Sequence, residues 1–530
     1  MSLKPAYAVT AFAAIALSGC VTQMDAPTAQ TSKQPSAAKP RNIILMISDG
    51  IGFNGWLAGD YYQGLAGKQS YQITRPDGTQ PLVFGLTHTA LNLVDDNGQL
   101  LPRGAEQSLV AGAVEQGYDP KSRWLAFENA MTNDFDPVDK SYTSYTDSAA
   151  AGTALMSGRK TSVGRINIDW TGQNSFVTIA DLAMQQGLSA GAVSTVMVSH
   201  ATPAAAIAKN VSRNNYAEIF NEMIKSDLSV IMGAGHPLYD GSGRSIQDSD
   251  KQDYKYVGGE DTFSDMISLS QQSDYQFIDA KSDFAALTTG TDLPDRVVGI
   301  ARSGSTLQAA REQLGTGNTP SGMAYNADVP DLATMSTGAL NVLHQDKDGF
   351  FVMIEGGAVD WMGHANNMPR YIEEQVDFNL AVDAVIEWIE TNSSWDETLL
   401  IITSDHECGG IWGEGTWTNS AGGPVAVDRS SDALNAARFD PSEDEFNEFL
   451  AVQDRGKGNL PGYQWSSPNH TNDLVPLWAI GVGAEYFGQF TRTDLKAAEL
   501  WGEQYSWNGN YVDNTSVFHV MNTVLQDARD

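Results

Sequence analysis

Five short runs rich in Val, Ile, Leu and Phe, each ending abruptly in polar or glycine residues, constrain this chain more than any other feature. They are Asn42–Ser48, Ala190–Val198, Ser229–Met232, Phe350–Ile354 and Leu399–Thr403. Short apolar runs without polar alternation read as strands buried on both faces, the habit of parallel sheets covered by helices. Helical patterns lie between them. In Pro369–Glu390, Ile372, Val376 and Leu380 recur at spacing four, Val382, Val385, Ile386 and Ile389 extend the stripe, and Pro369 suits a first helical turn. Alternating strands and helices predict an α/β fold, a three-layer α/β/α sandwich with a mostly parallel central sheet. Residues 92–140 and 411–466 interrupt the pattern and read as large surface insertions, at a sheet edge or over a site. No internal repeat and no interdomain linker is visible beyond residue 41, so 41–530 is expected to be a single domain.

Charge narrows the partners. Against 32 basic residues stand 65 acidic ones, a formal net charge of −33 that repels nucleic acid and anionic lipid. Nucleic acid is thereby excluded as a partner, and solubility is the plainest use of the charge. With only Cys20 and Cys408 present, one bridge at most could form, and the setting of Cys20 argues against it. Lys4, the apolar stretch from Ala6 to Leu17, and Leu17-Ser18-Gly19-Cys20 resemble a bacterial lipoprotein signal, whose cysteine is lipidated and becomes the new N-terminus. That apolar stretch is shorter than the ~20 residues of a spanning helix. Residues 1–19 are therefore expected to be a signal peptide, and residues 20–40 a flexible tether. The expected location is periplasmic or on the cell surface, held to a bacterial membrane through a lipidated Cys20 only.

In an open α/β sheet, ligands gather beyond the carboxyl ends of the strands. There the apolar runs close in Asp49-Gly50, in Glu355 continuing through Gly-Gly-Ala-Val to Asp360, and in Asp405-His406. Each has a bland reading alone, as a turn, a helix start or a solvated loop. Together, several carboxylates at one sheet edge repel one another unless cations neutralise them. Asp360 and His364, four apart, can present oxygen and nitrogen ligands on one face of a helical turn. His470 sits in a polar stretch and would, by itself, be taken for a surface residue. Ser148, in Tyr145-Thr-Asp-Ser148-Ala-Ala-Ala-Gly152, reads either as a helix N-cap or as a nucleophile at the positive end of a helix. No lysine or histidine flanks it in sequence, which makes a metal the activator.

These motifs, together with His200-Ala-Thr-Pro-Ala-Ala205 and Arg213, resemble the alkaline phosphatase family, the two-zinc, one-magnesium phosphomonoesterases. The resemblance implies that Asp360, His364 and His470 hold one zinc, and that Asp49, Asp405 and His406 hold a second that also binds Ser148. It further implies that Asp49 bridges to a magnesium held by Glu355 and Thr202, with His200 a ligand or a hydrogen-bond partner of metal-bound water. Ser148 would form a phosphoserine, and Arg213 would clamp the phosphate of a small-molecule monoester through its planar fork. A homodimer is what the family suggests. Some relatives carry an aspartate where this chain has His200 and a lysine where it has Trp361; the pair here resembles other branches, including cold-marine bacterial forms. Competing readings are a phosphodiesterase or other metal-dependent hydrolase of the same superfamily, and a non-catalytic phosphate-binding surface lipoprotein. Cys408 is expected to be buried and free rather than a ligand.

Overall fold

In the computed structural model, which describes residues 42–101, 106–115, 117–118, 145–269, 275–312, 314–415, 450–466 and 468–527, the apolar runs become neighbours in one sheet. Its strands are β1 (Asn42–Ser48), β2 (Leu82–Thr87), β3 (Ser189–Met197), β4 (Val230–Ala234), β5 (Tyr275–Ile278) and β6 (Arg296–Ile300). They continue with β7 (Phe350–Gly356), β8 (Thr398–Thr403), β9 (Val475–Gly481), β10 (Arg492–Thr493) and β11 (Asn510–Asp513). The order across the sheet is β10-β11-β2-β9-β8-β1-β7-β3-β4-β6-β5. From β8 to β5 every pair is parallel. Beyond β8, β9 runs antiparallel to both of its neighbours.

Side chains along the central strands alternate between two cores, as the period of two requires. Ile44 and Met46 of β1 pack on one face with Val352 and Ile354 of β7 and Leu400 and Ile402 of β8. Ile43, Leu45 and Ile47 pack on the other with Phe351, Met353, Leu399 and Ile401. Two buried faces need two helical layers. Helix α1 (Phe53–Gln63) and the long helix Met368–Asn392 cover the first face, and Ser148–Ser157 and Thr515–Asp527 cover the second. This is the expected three-layer α/β fold. The long helix begins and ends within two residues of its predicted bounds, but Leu380 is half exposed. At 3.6 residues per turn it lies about 160° round from Phe378, so spacing-four counting from Ile372 drifted off the buried face.

Register positions the chemistry. Ile47 of β1 lies opposite both Glu355 of β7 and Thr403 of β8, so the three strands finish at one level and Asp49, Glu355 and Asp405 leave the sheet together. The described residues form one compact unit. Residues 1–19 and 20–40 lie outside the described residues, as do 102–105, 116 and 119–140 of the first interrupting stretch and 416–449 of the second. Among the described residues no helix is long and apolar enough to cross a membrane.

Candidate metal centre and nucleophile

Helix α2 (Ser148–Ser157) starts at the serine, but the cap is Asp147, whose Oδ1 accepts from Ala150 N–H at 3.0 Å. The alternative role for Ser148 as N-cap is therefore filled by its neighbour. Its own Oγ is left to face the sheet edge, 3.5 Å from Asp49 Oδ2 and 3.1 Å from His406 Nε2. No histidine flanks the serine in sequence, yet the fold brings one beside it. Helix α3 (Ala201–Ala205) carries Thr202, and His200 immediately precedes it. Helix α4 (Ala358–His364) carries Asp360 and His364 one turn apart. The close approach of α4 to β1 depends on Gly50, which turns at φ +73°. A Cβ there would lie 2.6 Å from Asp360 Cα.

Three imidazoles point into this space. His470 is buried rather than at the surface, because it forms a two-residue strand, His470–Thr471, paired antiparallel with Glu407–Cys408. Its Nδ1 lies 2.8 Å from the Thr146 carbonyl, and His364 Nδ1 lies 2.6 Å from the Pro468 carbonyl. A carbonyl can only accept, so Nδ1 carries a proton in both rings, and in the neutral ring Nε2 is the nitrogen that holds the lone pair. Those Nε2 atoms lie 3.2 Å (His470) and 3.5 Å (His364) from Asp360 Oδ1, and 3.1 Å from each other. His406 Nε2 likewise lies 3.3 Å from Asp405 Oδ2 and 3.4 Å from Asp49 Oδ1. Two donors about 2.1 Å from one tetrahedral ion are about 3.4 Å apart, so lone pairs facing lone pairs at these distances suit a cation between them.

The electrostatics agree. Burial, then repulsion from Asp405, Asp360 and Glu355, drives Asp49 well above the usual carboxylate range. Burial pushes both Asp405 and Glu355 up to about 7. Burial also opposes ionisation of Asp360, but the positive charge of His364 and His470 in their protonated forms outweighs it and holds its carboxyl low, a part that falls to a cation when those rings are neutral. His406 and His470 are pushed down by burial, His406 well down, which favours the neutral form that a metal ligand needs. Asp49 Oδ1, Thr202 Oγ1, Glu355 Oε1 and Asp405 Oδ2 are buried without a hydrogen-bond donor. The donor set thus fits divalent cations: nitrogen and oxygen for zinc at Asp360/His364/His470 and at Asp49/Asp405/His406, and hard oxygen for magnesium at Glu355 and Thr202.

A cleft of about 340 Å³ opens onto these groups, lined by Ser148, His200, Arg213, Asp360, Trp361, His364 and His470. Arg213 is held there by Asp147, with Nη1 3.0 Å from Oδ2, and its Nη2 lies 3.4 Å from His200 Nε2. His200, pushed down to about 3 by burial and by Arg213, is neutral and accepts. Of the site residues expected from the sequence, Ser148, His200, Arg213, Asp360, His364 and His470 line this cleft, Asp49 and His406 neighbour Ser148, Asp405 neighbours His406, and Glu355 lies against Asp49 and Thr202. Two supporting residues carried no assigned part: Asp147, visible within the serine motif, and Ser194, whose hydroxyl donates to Glu355. A polar residue inside the apolar run Ala190–Val198 was the available signal for Ser194.

Comparison with known proteins gives one consistent result. A family model described as alkaline phosphatase matches residues 125–526. Alkaline phosphatase 4 of Bacillus subtilis is 30% identical over 399 residues, which is 68% of this chain and 76% of that protein. The solved alkaline phosphatase of the Antarctic bacterium TAB5 has a TM-score of 0.53 at 20% identity, covering 93% of this chain and 99% of its own. A histidine-substituted variant of that enzyme, with the same TM-score, identity and coverage, was solved with magnesium bound.

Proposed function

The chain belongs to the alkaline phosphatase family, and from that footing we propose that it hydrolyses phosphate monoesters through a phosphoserine on Ser148, at a centre of two zinc ions and one magnesium ion. The observation that carries this reading is the Ser148 hydroxyl, set at a helix N-terminus between Asp49 and His406 and open to the cleft that Arg213 lines. Asp360, His364 and His470 would hold one zinc and Asp49, Asp405 and His406 the other; Asp49, Glu355 and Thr202 would hold the magnesium, with His200 alongside. When bound, such cations act as Lewis acids that neutralise the carboxylates and stabilise the serine alkoxide and the leaving-group oxygen.

The chain's own groups do the rest. Ser148 Oγ gives up its proton to solvent and forms the new P–O bond in line with the ester P–O bond that breaks, and the departing alkoxide takes a proton from water at the open side of the cleft. The start of α2 favours negative charge at that point. Arg213, oriented by Asp147, donates to the non-bridging oxygens, and His200 restrains the other arm of its fork. Trp361 and His364 border the open side where the alcohol leaves and water enters. Water then cleaves the phosphoserine, releasing inorganic phosphate and restoring Ser148. Brief incubation with a phosphorus-labelled monoester and acid quench should trap label on the protein, and Ser148→Ala should abolish it; persistent label on that variant would overturn the assignment.

The N-terminal signature supports export as well. Residues 1–19 are proposed as a signal peptide, Cys20 as the acylated residue and 20–40 as the tether, placing a homodimeric enzyme in the periplasm or at the cell surface. Metabolic labelling with a radioactive fatty acid should mark the wild type and not Cys20→Ser, and sedimentation of the detergent-solubilised enzyme should give twice the chain mass.

A further inference from the structure

A fourth donor stands beside the first zinc position. Cys408 is buried and free of any disulfide, and its Sγ and one ligand atom each of Asp360, His364 and His470 all lie within 4.8 Å of one another. Two elements build this arrangement. In the ribbon, Cys408 is directly opposite His470, and directly opposed residues of an antiparallel pair project from the same face. Helix α4 supplies Asp360 and His364 from successive turns, and its intervening Gly363 rests on the cysteine. A Cβ at Gly363 would lie 3.1 Å from both Cβ and Sγ of Cys408, so glycine is what lets helix and ribbon close together. Asp360, itself buried, aims an Oδ1 without a hydrogen-bond donor into the same space.

We propose that Cys408 is a fourth protein donor to this metal position, bound as thiolate, and that it makes the position selective for zinc-class cations over magnesium. The inference rests on the metal-centre reading given above. Sulfur is a soft donor that favours zinc, whereas magnesium requires hard oxygen. The cleft then grades its three positions by donor chemistry: sulfur, nitrogen and oxygen at the first, nitrogen and oxygen at the second, oxygen alone at the third. Loading the first position breaks the S–H bond, forms a sulfur–metal bond and releases the proton to solvent. Zinc accepts a fifth ligand, so four protein donors leave room for exchange.

Cobalt(II) reads the difference directly. Full-chain apoprotein titrated anaerobically with cobalt should develop visible d–d bands together with a near-ultraviolet thiolate-to-cobalt charge-transfer band. The near-ultraviolet band should be lost in Cys408→Ser and in Cys408→Ala but kept in Cys20→Ser, with visible bands in all four proteins. Visible bands in the wild type without the charge-transfer band would overturn the proposal and leave the thiol as a hydrogen-bond donor to Asp360. No visible bands at any cobalt concentration would instead overturn the metal-centre reading. In dialysis against mixed zinc and magnesium, Cys408→Ser should retain zinc on the order of tenfold more weakly and magnesium unchanged; equal zinc retention would count against selectivity.

Discussion

In the proposed mechanism, the grip of Arg213 on phosphate depends on one carboxylate that touches no substrate. Asp147 caps α2 through Oδ1, accepts from Gly164 N–H through both oxygens at 3.1 and 3.0 Å, and accepts from Arg213 Nη1 through Oδ2 at 3.0 Å. Replacing it with Asn leaves one oxygen for the cap and Gly164 but puts an NH2 group where Arg213 needs an acceptor. The pair is mostly shielded, with side chains 8% and 20% exposed, so solvent screening only trims the loss. A hydrogen bond to a charged group contributes about 1.5–3 kcal/mol, and about 1.4 kcal/mol is tenfold in rate. The Asp147→Asn variant should therefore lose roughly 10–100-fold in kcat/KM on a nitrophenyl monoester, with inhibition by inorganic phosphate weakened in parallel. Its thermal midpoint should stay close to the wild type, because even full loss of a cap costs only about 1 kcal/mol. Asp147→Ala, which removes the cap as well, should add that destabilisation. If Asp147→Asn kept kcat/KM and phosphate inhibition within twofold of wild type, Arg213 would be oriented by something other than this carboxylate.

Three further outcomes are expected. Stripping divalent cations with a chelator at pH 8 should abolish turnover and lower the thermal midpoint, both restored by zinc plus magnesium, because Asp49, Asp405 and Glu355 then lose their counter-charge in a buried site; a midpoint indifferent to chelation would contradict this. Glu374, pushed up to about 8 by burial and then by Asp377, with an ordinary value of 4.5, stays protonated in the fold over a range where the unfolded chain has ionised. Stability from this group is thus complete below pH 4.5 and lost as pH rises through 8, so Glu374→Gln should match wild type in urea unfolding at pH 5 and exceed it at pH 9. Gly50→Ala should weaken zinc binding and turnover by tenfold or more, since the added methyl meets Asp360 at 2.6 Å on a backbone of φ +73°; unaltered zinc retention on dialysis would count against the close approach.

Much of this architecture could be read from residue order. Apolar runs without alternation announced strands covered on both sides, and the polar residues closing them marked the edge where ligands collect. What could not be read was whatever depends on cross-chain pairing. His470 looks solvated in its own stretch and is buried only because Cys408 lies opposite it. Ser148 has no basic neighbour in sequence and acquires His406 through the fold. Leu380 satisfied a four-residue spacing yet faces solvent, because 3.6 is not 4 and a 25-residue helix accumulates the error. Asp147 stood in the serine motif with no assigned part, and only the fold shows that it, not Ser148, caps the helix and holds Arg213.

The ribbon that carries His470 joins the last part of the polypeptide to the turn after β8, while Asp49 stands near the start of the compact unit. A nascent chain therefore lacks part of the binding pocket until the ribbon has been synthesised and folded. On the proposed ligand set, fragments released by early termination or cleavage ahead of that ribbon lack His470 and with it one complete metal position, so enzymatic output would report on chains that extend past the ribbon.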